Sequence, residues 1–415
     1  MRRRSARSRR GRCTDSATVS AVRAYLAAMQ PGGGTNIHDA LLEALRAEPE
    51  RGVLPLVLFL TDGLPTVGQT SEAAIRALVE QGNPHHRRVF TFGVGSDVNV
   101  PLLDRIADAS RAAAVYVQPN EDLELKVERV FRRLAGPVLA DLELAANDAA
   151  DGRRRIDAVI PAQIPDLFDG DQLVLCGQYR GAGTLALALS GDYLGKRTSF
   201  TLQFDLDQAT TRNAFVPRLW ASRRIAFLVD QVRALGVDLA LAAHDPRLQE
   251  LTDEILRLST EFGILSEYTS FLATEGVNLS SWPALNEACG ERLRSLAVAT
   301  RSGMAAVTQG CNYNERKWQS RANARNEFVA VDGERVGFDR VQQICDRAFF
   351  GQGACWIDAQ LLAARGQLEA ERVVDVGSEA FHQLVNELAA EGRAGVLSLR
   401  GEILLEHHGV RILVR

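Results

Sequence analysis

The chain has 415 residues, an ordinary 24% of charged side chains and a formal net charge of −4 at pH 7. That length accommodates about two to four domains, and so mild a charge argues against nucleic acid or a membrane surface as partner of the whole chain. No run is long and apolar enough to span a bilayer.

Residues 1–16 are the exception in charge, with Arg2, Arg3, Arg4, Arg7, Arg9, Arg10 and Arg12. Without apolar residues among them they read as a disordered basic tail. No apolar stretch follows, so this start is not a signal peptide, and the compartment stays unknown. Spacing at Val19, Val22, Leu26 and Met29 predicts a helix over 17–29, ended by Pro31 and three glycines. A second helix is expected over 36–47, with Ile37, Leu41, Leu42 and Leu45 on one side. Residues 53–60 are continuously apolar, the pattern of a strand buried on both faces of a parallel sheet. They end in Thr61-Asp62-Gly63. Helices over 72–80, 100–109 and 122–134 then alternate with strands over 88–94 and 114–117. That alternation means a doubly wound α/β unit, residues 17–136.

Gly136-Pro137 breaks the pattern. Residues 137–215 carry short alternating strands at 139–144, 173–176, 184–189 and 200–204, the signature of a small β-sandwich. Residues 216–280 hold two helices that form a helical hairpin, starting at Pro217 and Asp245-Pro246, then an extended stretch at 263–273. Residues 281–327 are a helix at 283–308 and a polar, loop-like linker over 312–326. Residues 328–415 form a small α+β tail, with strands at 328–331, 396–399, 403–406 and 411–414 and a helix near 378–390. There is no internal repeat.

Chemistry concentrates around Asp62. Open α/β sheets bind ligands at the carboxyl ends of their strands, although an aspartate there also serves as a turn former or cap. The loop Gly32-Gly33-Gly34-Thr35 lacks the Gly-Lys-Ser/Thr ending of a phosphate loop. Thr35 and Asp62 are oxygen donors of the kind hard divalent cations take, but a cation site needs about six oxygens with water counted. Gly93-Val94-Gly95-Ser96 is only loosely a nucleophile elbow, and no histidine is spaced to make a hydrolase of Ser96. His38 falls on a helix face near Thr35, where hydrogen bonding explains it. The doublets His85-His86 and His407-His408 read as exposed loops. Trp220, Trp282, Trp318 and Trp356 read as core or interface anchors. The six cysteines (Cys13, Cys176, Cys289, Cys311, Cys345, Cys355) have no zinc spacing and read as unpaired small core residues, with a Cys345–Cys355 bridge the less favoured reading.

Three blocks now resemble a von Willebrand factor A domain: Gly34-Thr35-Asn36-Ile37-His38-Asp39-Ala40-Leu41, Leu58-Phe59-Leu60-Thr61-Asp62-Gly63 and Phe92-Gly93-Val94-Gly95-Ser96-Asp97. Three more resemble the inter-alpha-trypsin inhibitor heavy-chain-like proteins. They are Pro165-Asp166-Leu167-Phe168-Asp169-Gly170-Asp171-Gln172-Leu173, Leu219-Trp220-Ala221-Ser222-Arg223-Arg224-Ile225 and Ser266-Glu267-Tyr268-Thr269-Ser270-Phe271-Leu272. The resemblance implies a VIT domain, an A domain, then a sandwich and helical extension. It implies a metal-ion-dependent adhesion site in which Thr35 supplies a hydroxyl and Asp62 orients a divalent ion, Mg²⁺. The site's Asp-x-Ser-x-Ser motif is not found before Thr35, nor are the first three strands. The expectation is therefore an N-terminally truncated member with a partial A domain, an apolar strand edge and weak or no metal affinity. It is expected to be a non-enzymatic, adhesion-type protein whose partner is another protein. The alternatives are a hydrolase and a purely structural module with a vestigial site. The resemblance also implies relatives that are often secreted or membrane-anchored.

Overall fold

The computed structural model describes residues 16–30, 32–50, 53–118, 121–134, 138–147, 155–210, 213–238, 242, 245–363 and 368–415. The arginine cluster, Cys13, Pro31 and the Gly136-Pro137 break lie outside them.

The N-terminal unit runs α1 (Ser16–Ala27), α2 (Ile37–Arg46), β1 (Leu56–Thr61), α3 (Glu72–Gln81), β2 (Arg88–Val94), α4 (Val100–Ala109), β3 (Ala114–Val117) and α5 (Leu123–Leu134). Its helices start where hydrogen-bonding caps stand. Asn36, Ser71 and Asn99 each accept from a backbone N–H three residues on, satisfying donors that a helix start leaves bare. The sheet is parallel, in the order β1-β2-β3. Its two faces are covered by different helices. Ile37, Leu41, Leu45, Ile75 and Val79 pack with Val57, Phe59 and Val89, while Phe90 and Phe92 pack with Val127, Val130 and Leu134 of α5.

The apolar run of 53–60 by itself reads as buried on both faces, and β1 instead shows the apolar strand edge that was also expected. It is an edge strand. Leu58 and Leu60 stand opposite Phe90 and Phe92 in the register, on the face that α5 covers. They are nevertheless 39% and 48% exposed, because on β1 only Leu56 still packs in that cluster. The apolar stripe of α1 is exposed as well, at Val19, Val22 and Leu26, as is Met29 just beyond the helix.

The expected sandwich is a four-stranded sheet and a two-stranded ribbon. The sheet takes β4 (Val138–Ala146), β6 (Leu167–Phe168), β8 (Thr184–Tyr193) and β9 (Lys196–Asp205) in the order β6-β4-β8-β9. The ribbon pairs β5 (Ile156–Ile160) with β7 (Cys176–Tyr179), so strand structure starts at 176 rather than spanning 173–176. Along β9, Phe200, Leu202 and Phe204 are about half exposed, which a closed sandwich would not leave.

The helical unit holds α6 (Phe215–Leu235), α7 (Pro246–Glu261), α8 (Trp282–Arg292) and α9 (Met304–Lys317). α6 and α7 pack on each other around Ile225, Leu228, Val232, Ile255 and Leu258. Three expectations fail here. Residues 263–273 are not extended but turn into a short 3₁₀ segment, Ser270–Ala273. The helix expected over 283–308 widens into a π-turn at Leu293–Val298 and restarts at Met304. The linker expected over 312–326 is helix as far as Lys317, because Val307, Thr308, Asn312 and Tyr313 are buried against the N-terminal unit and its neighbours.

The C-terminal unit opens with a small hairpin of β10 (Phe328–Val329) and β11 (Arg335–Val336). It continues with β12 (Val341–Ile344), β13 (Arg347–Gln352), β14 (Cys355–Asp358), α10 (Ala359–Ala363), β15 (Arg372–Val374), α11 (Glu379–Ala390), β16 (Glu402–His407) and β17 (Val410–Val414). The six strands from β12 to β17 join in the order β12-β13-β14-β16-β17-β15. Residues 396–399, expected as a strand, fall instead mostly in a 3₁₀ turn, Ala394–Ser398. Cys345 and Cys355 are both free thiols.

Candidate functional site

Thr35 and Asp62 lie on neighbouring loops at the carboxyl end of β1. The Thr35 N–H donates to Thr66 Oγ1 at 2.8 Å. Its carbonyl accepts from the N–H groups of Thr66 and Val67 at 2.9 and 3.2 Å. Gly34 is required for this approach: a β-carbon there would stand 2.4 Å from Val67 and 2.5 Å from Thr66 Oγ1. The Thr35 hydroxyl lies 3.1 Å from the place a β-carbon on Gly63 would take, so it faces the backbone beside Asp62. Thr61 folds the chain at that point by donating to the Gly63 carbonyl at 3.1 Å. Asp62 is exposed. The spacing in sequence thus brings one hydroxyl and one carboxylate to the same rim.

Those two donors do not by themselves fit a divalent ion, which needs about six oxygens. Among the described residues, no group of three histidine, cysteine or carboxylate ligands gathers around Asp62. His38 turns its Nδ1 to Asp39 at 3.1 Å. Ser96, at the end of β2, lies 3.5 Å from Asp97 Oδ1 and gives its carbonyl to the Gly303 N–H at 2.8 Å. Its hydroxyl therefore meets a carboxylate rather than an imidazole.

The later sequence blocks act as joints between units. Asp166 is buried and takes Arg88 of β2 by both oxygens, Nε at 2.6 Å and Nη2 at 3.2 Å. It also accepts from the Asp141 N–H at 3.0 Å. Asp171 takes Arg133 of α5 in a fork at 2.8–3.0 Å. Trp220 donates to the Ala158 carbonyl of the ribbon at 3.1 Å. Arg223 donates to the carbonyls of Lys317 and Val174 at 3.0 and 2.6 Å. Tyr268 donates to Gln309 at 3.0 Å.

A second layer of contacts joins the N-terminal unit to the helices, and no sequence motif announced it. Asp104 of α4 and Arg233 of α6 are both buried, with 2.8 Å between Oδ2 and Nη1. The other oxygen of Asp104 accepts from Tyr116 at 2.7 Å and from Asn314 at 3.0 Å. Arg105 meets Asp230 at 2.6 Å. Asp108 accepts from Tyr313 at 2.7 Å and pairs with Lys317. Burial pushes the Asp104 carboxyl up, against the pull of Arg233.

Glu267 gives a test in pH. Its carboxyl end is buried, with Oε2 lacking a hydrogen-bond partner, and burial raises its pKa despite Arg316. A raised carboxyl takes up a proton on folding, so its contribution is present below the unfolded value of about 4.3 and lost as pH rises through the folded value. Glu267→Gln removes that loss. The variant is expected to gain stability relative to the unsubstituted protein as pH rises, by urea midpoints at about pH 4 and about pH 7. An equal difference at both would refute the burial of a raised carboxyl.

Residues 7–115 match the family model of the von Willebrand factor type A domain. The parallel sheet with helices on both faces agrees with that match. Over a longer stretch the chain is homologous to inter-alpha-trypsin inhibitor heavy chains. It is 26% identical to heavy chain H4 of Homo sapiens over 275 residues, which covers 62% of this chain and 28% of that protein. It is 28% identical to human heavy chain H6 over 286 residues, 62% of this chain and 20% of that protein. Heavy chain H2 of Sus scrofa is 24% identical over 316 residues, 72% of this chain and 31% of that protein. The chain thus spans less than a third of the length of these relatives. Among solved structures, it is similar to the ArnB paralog VWA2 of Sulfolobus acidocaldarius with a TM-score of 0.31, at 16% identity over 66% of this chain and 72% of that one.

Proposed function

We propose that this chain is a non-enzymatic binding protein of the adhesion type, in which Thr35 and Asp62 are the remnant of a metal-ion-dependent adhesion site facing a protein partner. The observation that supports the reading is the rim itself. Thr35 and the exposed Asp62 lie on neighbouring loops at the carboxyl end of a parallel strand, where open α/β sheets present ligands. An intact site of this kind would let a divalent ion finish its coordination with a carboxylate from the partner. Two donors alone leave water to supply most of the ion's shell, so the affinity expected of this chain is low. A second reading, a structural module with a vestigial site, is supported by the conversion of the later sequence blocks into buried joints. Against a hydrolase stands the company of Ser96, whose hydroxyl has the Asp97 carboxylate beside it rather than an imidazole.

Calorimetric titration with Mg²⁺ and Mn²⁺ tests the remnant. No saturable binding at micromolar ion is the expected result. Micromolar binding that Asp62→Ala or Thr35→Ala abolishes would show a complete site and overturn the remnant reading.

A further inference from the structure

A cluster of metal-binding character lies in the C-terminal unit, on residues separate from the A domain. The β16–β17 hairpin turns at His408-Gly409, with φ of 52° and 80°, the two left-handed positions of a two-residue hairpin loop. Glycine suits the second, and a histidine is forced into the first. That turn stacks the rings of His407 and His408 with centroids 4.0 Å apart and planes 25° apart. Beside them ends α11, whose last carbonyls carry partial negative charge that favours a cation.

The end of α11 adds two carboxylates. Glu387 lies 3.1 Å from His407 Nε2. A carboxylate can only accept, so the neutral imidazole carries its proton on Nε2 and its lone pair on Nδ1. That Nδ1 is buried and has no hydrogen-bond partner, and the His407 side chain is only 4% exposed. A buried polar atom without a partner is uncommon enough to need a cause. Glu391, just past the helix, divides its oxygens. Oε2 accepts from Arg393 at 2.8 Å, and Oε1 faces His408 Nε2 at 2.8 Å. One potential ligand atom from each of Glu391, His407 and His408 lies within 4.8 Å of the others.

We infer that Glu391, His407 and His408 form a transition-metal site, selective for Zn²⁺, with Glu387 as the residue that orients His407. Two imidazoles and one carboxylate are a zinc donor set, with a fourth position left for water. A carboxylate on the far nitrogen of a ligating imidazole is the usual support of such a site. Zinc bonds of about 2.0–2.1 Å place tetrahedral donors roughly 3.3 Å apart, so the 2.8 Å hydrogen bond between Glu391 Oε1 and His408 Nε2 must open, with loss of its proton, while the set draws in toward His407. His408, whose side chain is 70% exposed, has the freedom to move toward the fixed His407. Mg²⁺ and Ca²⁺ prefer all-oxygen shells and are not expected to compete.

The test is equilibrium dialysis of the full chain against Zn²⁺ alone, with bound metal measured by elemental analysis and thermal melts of the metal-free proteins as the folding control. One zinc per chain is expected, undisturbed by millimolar Mg²⁺. His408→Ala and Glu391→Gln are expected to weaken it at least about tenfold, and Glu387→Gln by about 10–100-fold, the range for an orienting partner. Asp62→Ala and Thr35→Ala are expected to bind zinc as before, which separates this site from the A-domain rim. No retained zinc, or equal retention in folded His408→Ala and Glu391→Gln, overturns the assignment.

Discussion

Asp104→Ala is expected to lower the unfolding free energy by about 3–5 kcal/mol, the usual penalty for leaving a buried charge without its partner. The charge is Arg233, 3% exposed at its side chain and 2.8 Å from the aspartate. Tyr116 and Asn314 would each lose one acceptor in the same step and keep the carbonyls of Val100 and Gly310. Arg233 keeps Asp230 in its field and the Tyr313 ring 5.1 Å away, which places the effect toward the lower end. The control is Asp104→Leu combined with Arg233→Met. Replacing a buried ion pair by apolar groups of similar size is often neutral, so the double variant is expected to be more stable than Asp104→Ala. Urea unfolding of the three proteins decides it. A double variant that is the least stable of them would mean that the pair attracts more strongly than burial penalises it.

The second large effect is at the joint between the A domain and the four-stranded sheet. Asp166→Ala is expected to destabilise by about 3–5 kcal/mol, because Arg88 stays buried and loses its fully buried counter-ion. Asp141 also pairs with Arg88, at 2.8 Å, but its side chain is 44% exposed. Asp141→Ala is therefore expected to lose no more than about 1 kcal/mol, the range of solvent-screened pairs. Chemical denaturation of both variants gives the comparison. Similar losses would show that Arg88 is held by the pair of acids jointly, with Asp166 in no special role. The same Asp166 lies in the Pro165-Asp166-Leu167-Phe168 block, so the experiment also tests whether that block works as a joint.

The sequence by itself determined the local elements of the N-terminal unit. Helical spacing at Ile37, Leu41 and Leu45, caps at Asn36 and Ser71, and apolar runs at 88–94 and 114–117 are signals carried by adjacent residues. It also brought Thr35 and Asp62 forward as companions, through the blocks that resemble an A domain. Local signals were weakest where tertiary burial overrides them. Residues 309–317 look polar, yet they continue a helix because Asn312, Tyr313 and Asn314 find buried partners on other elements. The strands between 335 and 374 are short; β11 to β14 pair with their neighbours in sequence, and only β14 and β15 take distant partners, β16 and β17.

What only the tertiary structure decided is where each apolar or charged residue ends up. Leu58 and Leu60 have the composition of a core strand and the exposure of an edge, because position in a sheet is set by neighbours. Two partners of Asp104 are 129 positions away at Arg233 and 210 at Asn314, beyond the reach of any spacing rule. The His407-His408 doublet reads as a loop until a hairpin buries one imidazole and a helix end 16 to 20 residues earlier brings Glu387 and Glu391 beside it. Pattern along a chain reports which backbone form a segment can take. Long-range closure alone reports which side chains then share a charge, a cavity or an ion.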